Sequence, residues 1–342
     1  MHPMLPILSV TFPFFALVLC GYLAARRGLL PLAAIPGLNS FVLFFALPCM
    51  LYRFGATTPI AQLLDPNVAL MYLFCALVMV ALVLVVTLRG RIGWNDAAFG
   101  ALVGAFPNTG FMGVPLLVAL LGASAAGPAI VMILVDMVIT TSLCIALSRL
   151  GHEANSEAAA GDEAGVGAAQ VSPAQAAKNA LKGVAANPMP WAILSGALVS
   201  AFQWQLYAPV ATTVGLLADS ASPVALFTIG AVLARSNMLS ASGHAPAVPW
   251  SSVLPVAGIK LFVHPLVVFA VGSAAIAWGV PIDGFALTVL VLVSALPSAS
   301  NVSMLAERFG ADNGRIARII LVSTAAAFFT FATAVAWMTG RG

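Results

Sequence analysis

Long apolar runs are the feature that most limits what this chain can fold into. About ten stretches of roughly 20 mostly apolar residues follow one another, and each is long enough to cross a bilayer core as an α-helix. Only 7% of the 342 residues are charged, whereas a soluble domain carries about 25%. So few charges could not cover a water-facing surface. The sequence therefore predicts an all-α polytopic membrane protein embedded in a lipid bilayer.

The edges of the apolar runs place these ten predicted spans approximately. They cover residues 5–25, 34–53, 67–88, 95–120, 125–148, 189–206, 211–234, 252–278, 283–306 and 316–338. The intervening loops carry most of the charged residues. The number of spans can therefore be tested against the positions of Lys and Arg.

The basic residues agree with this topology if the N-terminus lies outside the cytoplasm. The cytoplasmic loops then hold Arg26, Arg27, Arg89, Arg91, Arg149, Lys178, Lys182, Arg235, Arg308, Arg315 and Arg318. Of the 14 basic residues, only Arg53 and Arg341 fall outside and Lys260 lies within a span. This bias satisfies the positive-inside rule. It predicts a multi-pass protein of the cell inner (plasma) membrane with both termini outside the cytoplasm.

The chain divides into two similar halves. Residues 149–187 are rich in Ala, Gly and charge, cannot bury enough apolar surface to form a domain, and predict a cytoplasmic linker between 1–148 and 188–342. Across it, VGAFPNTG (103–110) aligns with VSALPSAS (293–300), and two further pairs align at a similar offset of roughly 185 residues. Each half holds an odd number of spans, so the second copy is inverted, as in many transporters.

The fourth and ninth spans are each interrupted by a proline with polar neighbours. Pro107 precedes Asn108, Thr109 and Gly110, and Pro297 precedes Ser298, Ala299, Ser300 and Asn301. Proline lacks an N–H and clashes with the preceding turn, and broken backbone is tolerated in a membrane only where protein covers it or it lines a cavity. Matched interruptions in inverted halves indicate a substrate site near the midplane. A simple proline kink in each helix is the alternative.

Each interruption frees the N–H groups of the half-helix that follows, with their positive dipole end. Two such ends facing each other favour an anion. The predicted substrate-binding residues are Pro107, Asn108, Thr109, Gly110, Pro297, Ser298, Ser300 and Asn301. The sequence has no P-loop, no convergent nucleophile and base, no metal-ligand spacing and no basic patch with aromatics. It therefore predicts a protein that is no enzyme and has no cofactor, metal or nucleic-acid partner.

Two charged residues fall inside predicted spans. Asp136 lies in the fifth span and Lys260 in the eighth, with His264 one turn later. Charges at such depth are costly and usually face the protein interior, paired with each other. We expect Asp136 and Lys260 to pair beside the interrupted spans. The pair either neutralises charge structurally or couples protons to transport.

Three segments resemble the auxin efflux carriers, in particular their bacterial members, which are often described as malonate transporters. They are FPNTGFMGVPLL (106–117), LNSFVLFFALPCML (38–51) and ALPSASNVSMLAERFGAD (295–312). The resemblance implies a fold similar to bile-acid symporters and sodium–proton antiporters, with a scaffold of spans 1, 2, 6 and 7 and a mobile bundle of spans 3–5 and 8–10. It implies that spans 4 and 9 cross at Pro107 and Pro297, and that Asn108 contacts the substrate carboxylate. It also makes a homodimer an expectation.

The sequence departs from the plant carriers at Ser298, where they have an Asn- or Gln-like neighbour, so a plant hormone is not the expected substrate. The prediction is a secondary active transporter of small organic anions, a malonate-like dicarboxylate or another carboxylate. It would work by elevator-type alternating access. A sodium-coupled organic-anion symporter on the same fold is the closest alternative, followed by a passive anion channel.

Overall fold

The computed structural model describes residues 4–57, 65–90, 92–149, 188–241 and 248–340. The predicted linker at 149–187, apart from its first residue, lies outside the described residues. Over the described ranges the chain is helical and has no strands beyond one isolated β-bridge between Pro107 and Ser298. The all-α prediction is thus confirmed for the described part of the chain.

Most predicted spans correspond to single helices, and two correspond to pairs of shorter helices. The helices are α1 (Met4–Arg26), α2 (Leu32–Thr57), α3 (Pro66–Arg89), α4 (Trp94–Ala105), α5 (Thr109–Leu121), α6 (Ala123–Arg149), α7 (Pro188–Ala201), α8 (Ala208–Ala241), α9 (Trp250–Ala277), α10 (Gly284–Ser294), α11 (Asn301–Arg308) and α12 (Asn313–Thr339). The fourth predicted span is divided into α4 and α5, and the ninth into α10 and α11.

Seven helices in the described ranges are long and apolar enough to cross a membrane: α1, α2, α3, α6, α8, α9 and α12. Three shorter apolar helices, α5, α7 and α10, fall within the remaining predicted spans. These helices confirm a polytopic membrane protein. The count of ten spans and the inverted repeat stay predictions.

Backbone geometry shows how the first interruption forms. Phe106 has extended dihedral angles, φ −90° and ψ 107°, which is the conformation that a residue before proline prefers. Asn108 is also non-helical, with φ −76° and ψ 56°. The chain therefore leaves α4 after Ala105 and re-enters a helix at Thr109. The second interruption, between α10 and α11, is longer and covers residues 295–300.

Two helix pairs approach at backbone distance through glycine. Where α1 packs on α8, a Cβ on Gly21 or Gly230 would lie 1.8 Å from a carbonyl oxygen of the facing helix. Where α2 packs on α7, a Cβ on Gly55 would lie 2.6 Å, and one on Gly196 2.2 Å, from the facing backbone. Small residues permit such close crossings between helices in membranes. These two pairs bring the first and second predicted spans against the seventh and sixth.

A buried arginine ties the start of α4 to α9 and α12. Arg315 donates from Nη1 to the carbonyl of Asp96 at 2.9 Å and from Nε to the carbonyl of Ser252 at 3.2 Å. The N–H of Asp312 donates to the Asp96 carboxylate at 2.7 Å. Because α4 leads directly into the first interruption, these bonds fix the direction from which the chain reaches it.

Candidate functional site

The two interruptions meet and pair through their backbones. The N–H of Asn108 donates to the carbonyl of Pro297 at 2.8 Å, and the N–H of Ala299 donates to the carbonyl of Phe106 at 2.9 Å. This two-residue antiparallel bridge satisfies polar backbone that would otherwise be buried without partners. Pro107 and Pro297, which are distant in sequence, therefore lie side by side, and Asn108 and Ser298 adjoin them.

Four backbone donors remain at this crossing. Among the described residues, the N–H groups of Gly110 and Phe111 at the start of α5 donate to no carbonyl. The same holds for Ser300 and Asn301 at the start of α11. Free N–H groups are expected in the first turn of a helix, and here two such sets adjoin the same bridge. The crossing therefore offers hydrogen-bond donors and positive helix-dipole ends to an acceptor.

Side chains at the second interruption add unused polar atoms. Ser298 is 1% exposed, and its Oγ has no hydrogen-bond partner among the described residues. The Oδ1 of Asn301 is also buried without a partner there. In the first interruption Thr109 bonds from Oγ1 to the Pro107 carbonyl at 3.4 Å. Buried polar atoms without partners are costly, so the second interruption in particular is suited to a polar ligand.

A cleft of about 360 Å³, including its open mouth, adjoins this crossing. One side is formed by residues 106–111 with Ala299 and Asn301. The other side is an apolar wall, which we define as Leu47 and Leu51 from α2 and Ile133 and Met137 from α6. The cleft therefore has one polar side and one apolar side.

A second cleft of about 300 Å³ lies at the same crossing. It is lined by Ser300 and Phe111, by Asn39 and Val42 of α2, and by residues 225–232 of α8. Ser300 thus borders a different cleft from Asn108 and Asn301. Phe111 borders both clefts and is 7% exposed.

The two intramembrane charges are buried, but they do not bond each other. Asp136 accepts hydrogen bonds from Tyr72 Oη at 2.8 Å and from Thr140 Oγ1 at 3.0 Å. Lys260 donates from Nζ to the carbonyl of Ser294 at 2.7 Å. Within the described residues no ion pair joins Asp136 to Lys260, since the salt bridge found there joins Arg53 and Asp219 at 2.6 Å. The structure thus does not show the direct contact we expected, and the pairing stays a prediction.

Two rings contact these charged residues and each other. The Tyr72 ring stacks on His264, with ring centroids 6.3 Å apart. Nδ1 of His264 lies 3.1 Å from Nζ of Lys260. The carboxylate and the ammonium are therefore linked through Tyr72 and His264. At its other side Lys260 reaches the last residue of α10, where the negative helix-dipole end stabilises a cation.

Wide helical turns coincide with these features. Five-residue π-helical turns occupy Thr109–Gly113, Asp136–Thr140, Ile259–Val263 and Val42–Ala46. They contain the start of α5, Asp136, Lys260 and a residue of the second cleft. Such turns are rare and frequently mark functional sites. Neither propensity nor hydropathy signals them in the sequence.

Sequence reasoning missed the residues that support the site from other helices. Ser323 of α12 accepts the N–H of Ser298 at 3.2 Å, and the Ser294 carbonyl receives Lys260. Tyr72 was a usable signal, because a phenol in the middle of an apolar span needs a partner. The apolar wall gave no signal, since leucine, isoleucine and methionine are ordinary in any span. In the described ranges no three His, Cys, Asp or Glu residues cluster as metal ligands would.

Comparison with known proteins identifies the family of the chain. The sequence profile of a family described as "Membrane transport protein" matches residues 6–335. A proposed malonate transporter of Rhizobium meliloti (strain 1021) is 26% identical over 324 residues, which cover 94% of this chain and 92% of that protein. The chain therefore belongs to this family of membrane transport proteins, of the auxin-efflux-carrier type that its interrupted spans predicted.

Proposed function

We propose that this protein is a secondary active transporter of small organic anions, either a malonate-like dicarboxylate or another carboxylate. The substrate binds at the crossing of the two interrupted spans. The observation that carries the proposal is the set of four unused N–H donors where two helix N-terminal ends meet, with Gly110, Phe111 and Asn301 bordering the first cleft and Ser300 the second. A carboxylate supplies the acceptor and negative charge that such an arrangement favours.

The clefts also support an elevator-type movement. Each cleft has α2 on one side and the crossing on the other, and the second is also lined by α8. Thus both lie along the boundary between the predicted scaffold, spans 1, 2, 6 and 7, and the predicted mobile bundle, spans 3–5 and 8–10. Sliding of the crossing along this boundary would expose a bound carboxylate alternately to the two sides of the membrane.

The glycine contacts support ten spans in two inverted repeats. If residues 1–148 and 188–342 are copies, the first span corresponds to the sixth and the second to the seventh. Exchange of the halves then converts the α1–α8 contact into the α7–α2 contact, and both contacts occur. The proposed topology keeps both termini outside the cytoplasm of the inner (plasma) membrane and the linker inside. The homodimer implied by the family is part of the same proposal.

Asp136 and Lys260 have one of two roles, and only the second would link transport to a driving force. Either this pair neutralises charge structurally, or it exchanges protons during the cycle and couples transport to a proton gradient. The buried contacts from Asp136 through Tyr72 and His264 to Lys260 support a shared role for the four residues. Retention of ΔpH-driven uptake in both Asp136→Asn and Lys260→Ala would exclude the proton-exchange alternative.

The direct test is counterflow in proteoliposomes that contain the purified full-length protein. Labelled malonate outside is expected to enter faster when unlabelled malonate or another carboxylate is trapped inside, and the rate is expected to saturate. Asn108→Ala should raise the half-saturating concentration about tenfold or more, because a hydrogen bond to a charged group contributes about 1.5–3 kcal/mol. Asn67→Ala, at the start of α3 and outside both clefts, is the matched control.

The same proteoliposomes distinguish the proposed transporter from a sodium-coupled symporter and from a passive channel. Uptake that requires external sodium would favour the sodium-coupled symporter. Flux that neither saturates nor responds to trapped carboxylate would favour a passive anion channel. Counterflow that is normal in Asn108→Ala would remove the crossing from the proposal, even if the protein transports carboxylates.

A further inference from the structure

An ion pair lies exposed between two apolar helices. Arg53 of α2 donates from Nη1 to Oδ1 of Asp219 on α8 at 2.6 Å. The Arg53 side chain is 39% exposed and the Asp219 side chain is 69% exposed. Both residues belong to stretches that are long and apolar enough to cross a membrane, Leu32–Thr57 and Ala208–Arg235. Asp219 is the twelfth residue of its stretch, which places it about 17 Å from the start at a rise of 1.5 Å per residue.

Lipid is an unsuitable environment for the exposed side of this pair. A carboxylate or guanidinium at such depth is costly in hydrocarbon, and intramembrane charges almost always face the protein interior or a water-filled cavity. Exposed leucine, phenylalanine or valine on the same helices can face lipid at no such cost. The exposed side of the pair is therefore expected to border water, in a vestibule that opens to one side of the membrane.

The pair lies about one helical turn from the crossing. On α2, Arg53 follows Leu51 of the first cleft by two residues. On α8, Asp219 precedes Ser222 by three residues, and Ser222 Oγ donates to the Phe111 carbonyl at the crossing at 3.3 Å. From the crossing, the pair therefore lies toward the C-terminal end of α2 and the N-terminal end of α8. In the proposed topology these are the ends outside the cytoplasm.

The contact leaves most of the guanidinium unused. Within the part of the chain that the structure describes, the bond from Nη1 to Asp219 is the one hydrogen bond that the Arg53 side chain makes. A guanidinium has five N–H donors in a planar fork, which binds a carboxylate through two parallel hydrogen bonds. Exposed ion pairs contribute little free energy. A second carboxylate can therefore bind to the unused donors or take the place of Asp219.

We propose that Arg53 is an entry site for carboxylates on the outer side of the crossing, with Asp219 as its competing internal anion. A carboxylate that arrives from outside replaces Asp219 on the guanidinium and then moves one turn further to the crossing. When the site is empty, Asp219 returns and neutralises Arg53. The inference rests on the proposed function, because it assumes that the transported solute is a carboxylate, and it adds a second site on the scaffold helices.

The two charges should have opposite effects on uptake, which tests the proposal. Intact cells that express the full-length protein report on the outer face, and everted vesicles report on the cytoplasmic face. Labelled malonate and, separately, labelled butyrate are the probes. In cells, Arg53→Gln should raise the half-saturating concentration about threefold or more, and Asp219→Asn should lower it about threefold, within the range measured for exposed ion pairs. Both differences should shrink at high ionic strength, because salt screens exposed charges.

Everted vesicles and a cytoplasmic arginine provide the controls. Neither variant should change the half-saturating concentration in everted vesicles. Arg26→Gln, at the exposed end of α1, should leave uptake into cells unchanged. If Arg53→Gln and Asp219→Asn weaken uptake equally, the pair only joins α2 to α8 and the proposal is wrong. Effects confined to everted vesicles would contradict its placement on the outer side.

Accessibility of Asp219→Cys gives a readout that does not depend on transport. A membrane-impermeant thiol reagent added to intact cells should modify this variant, and malonate or butyrate should slow the modification severalfold. The wild type, whose Cys20 is exposed on α1, should react far more slowly because lipid covers that surface. An unreactive Asp219→Cys variant, or one that neither carboxylate protects, would overturn the proposal. If protection is found but the wild type takes up neither carboxylate, the entry site stands and the proposed function fails.

Discussion

Each interruption contains a proline and is hydrogen-bonded to the other through its backbone, but the two are stabilised differently. The first is short, at residues 106–108, and its Asn108 carbonyl accepts the N–H groups of Met112 and Gly113 within the same segment. The second covers residues 295–300 and is held by other helices. Lys260 of α9 donates to the Ser294 carbonyl before it, and Ser323 of α12 accepts the Ser298 N–H within it. The charged and buried side chains that bond the second interruption thus come from other helices, whereas the first adds bonds within its own backbone.

This difference indicates which of the two interruptions changes position when neighbouring helices move. A segment stabilised by its own backbone keeps its shape when neighbouring helices move, whereas one held by α9 and α12 follows them. The unused polar atoms Ser298 Oγ and Asn301 Oδ1 also lie at the second interruption. The first interruption thus supplies a fixed frame, and the second supplies the polar atoms and the connection to buried charge.

The strongest test of this comparison is Lys260→Met, which removes the ammonium and keeps an apolar chain of similar length. The Ser294 carbonyl loses its charged donor, and such hydrogen bonds contribute about 1.5–3 kcal/mol. We expect counterflow to fall at least tenfold because the segment before the second interruption is no longer fixed. At the first interruption the corresponding bond from another helix is uncharged, from Ser222 of α8 to the Phe111 carbonyl at 3.3 Å, so its removal should have a smaller effect.

Lys260→Gln is the informative control, because glutamine keeps an N–H donor without the charge. Recovery of most counterflow in the glutamine variant would show that Lys260 positions α10 through its hydrogen bond. Equal loss in both variants would show that the charge itself is needed, as a coupling role requires. Normal counterflow in Lys260→Met would contradict the view that the second interruption depends on outside support.

Much of the fold could be predicted from the sequence, because apolar runs and prolines act locally. The spacing of apolar runs predicted the long helices, and the prolines at 107 and 297 predicted where two spans are interrupted. The lengths of the two interruptions were less predictable. The polar residues after Pro297 did not show that the second interruption would be twice as long as the first, since its path is set by bonds from α9 and α12.

The sequence predicted the polar residues of the two interruptions but not the residues of other helices that bond them. Asn108, Ser298 and Asn301 are conspicuous as polar residues in apolar spans. Ser323 is not, because a serine in a membrane helix usually bonds its own backbone, as Ser323 also does with the Ile320 carbonyl at 3.0 Å. The separation of Asp136 from Lys260 was unpredictable because the intervening rings, Tyr72 and His264, come from helices far apart in the chain.

A smaller effect is expected for Ser323→Ala, which removes the acceptor of the Ser298 N–H. A buried donor left without a partner costs about 1–3 kcal/mol, so the melting temperature should fall by a few degrees and counterflow by severalfold. Thr333→Ala on the same helix is the control, since Thr333 is exposed and, within the part of the chain that the structure describes, its hydroxyl bonds only the carbonyl of Phe329. Equal melting temperatures for the two variants would show that Ser323 does not support the second interruption.

The smallest effect is expected for Ser298→Ala, and its direction separates binding from stability. Ser298 Oγ has no partner among the described residues, so its removal should not lower the melting temperature, while it should weaken carboxylate binding about threefold, as for the loss of one modest hydrogen bond. Thr109→Val is the counterpart in the first interruption, where Oγ1 already bonds the Pro107 carbonyl. That variant should lower the melting temperature slightly and leave affinity nearly constant. If both variants weaken binding equally, the two interruptions contribute alike, and the distinction between a fixed frame and a ligand-binding segment fails.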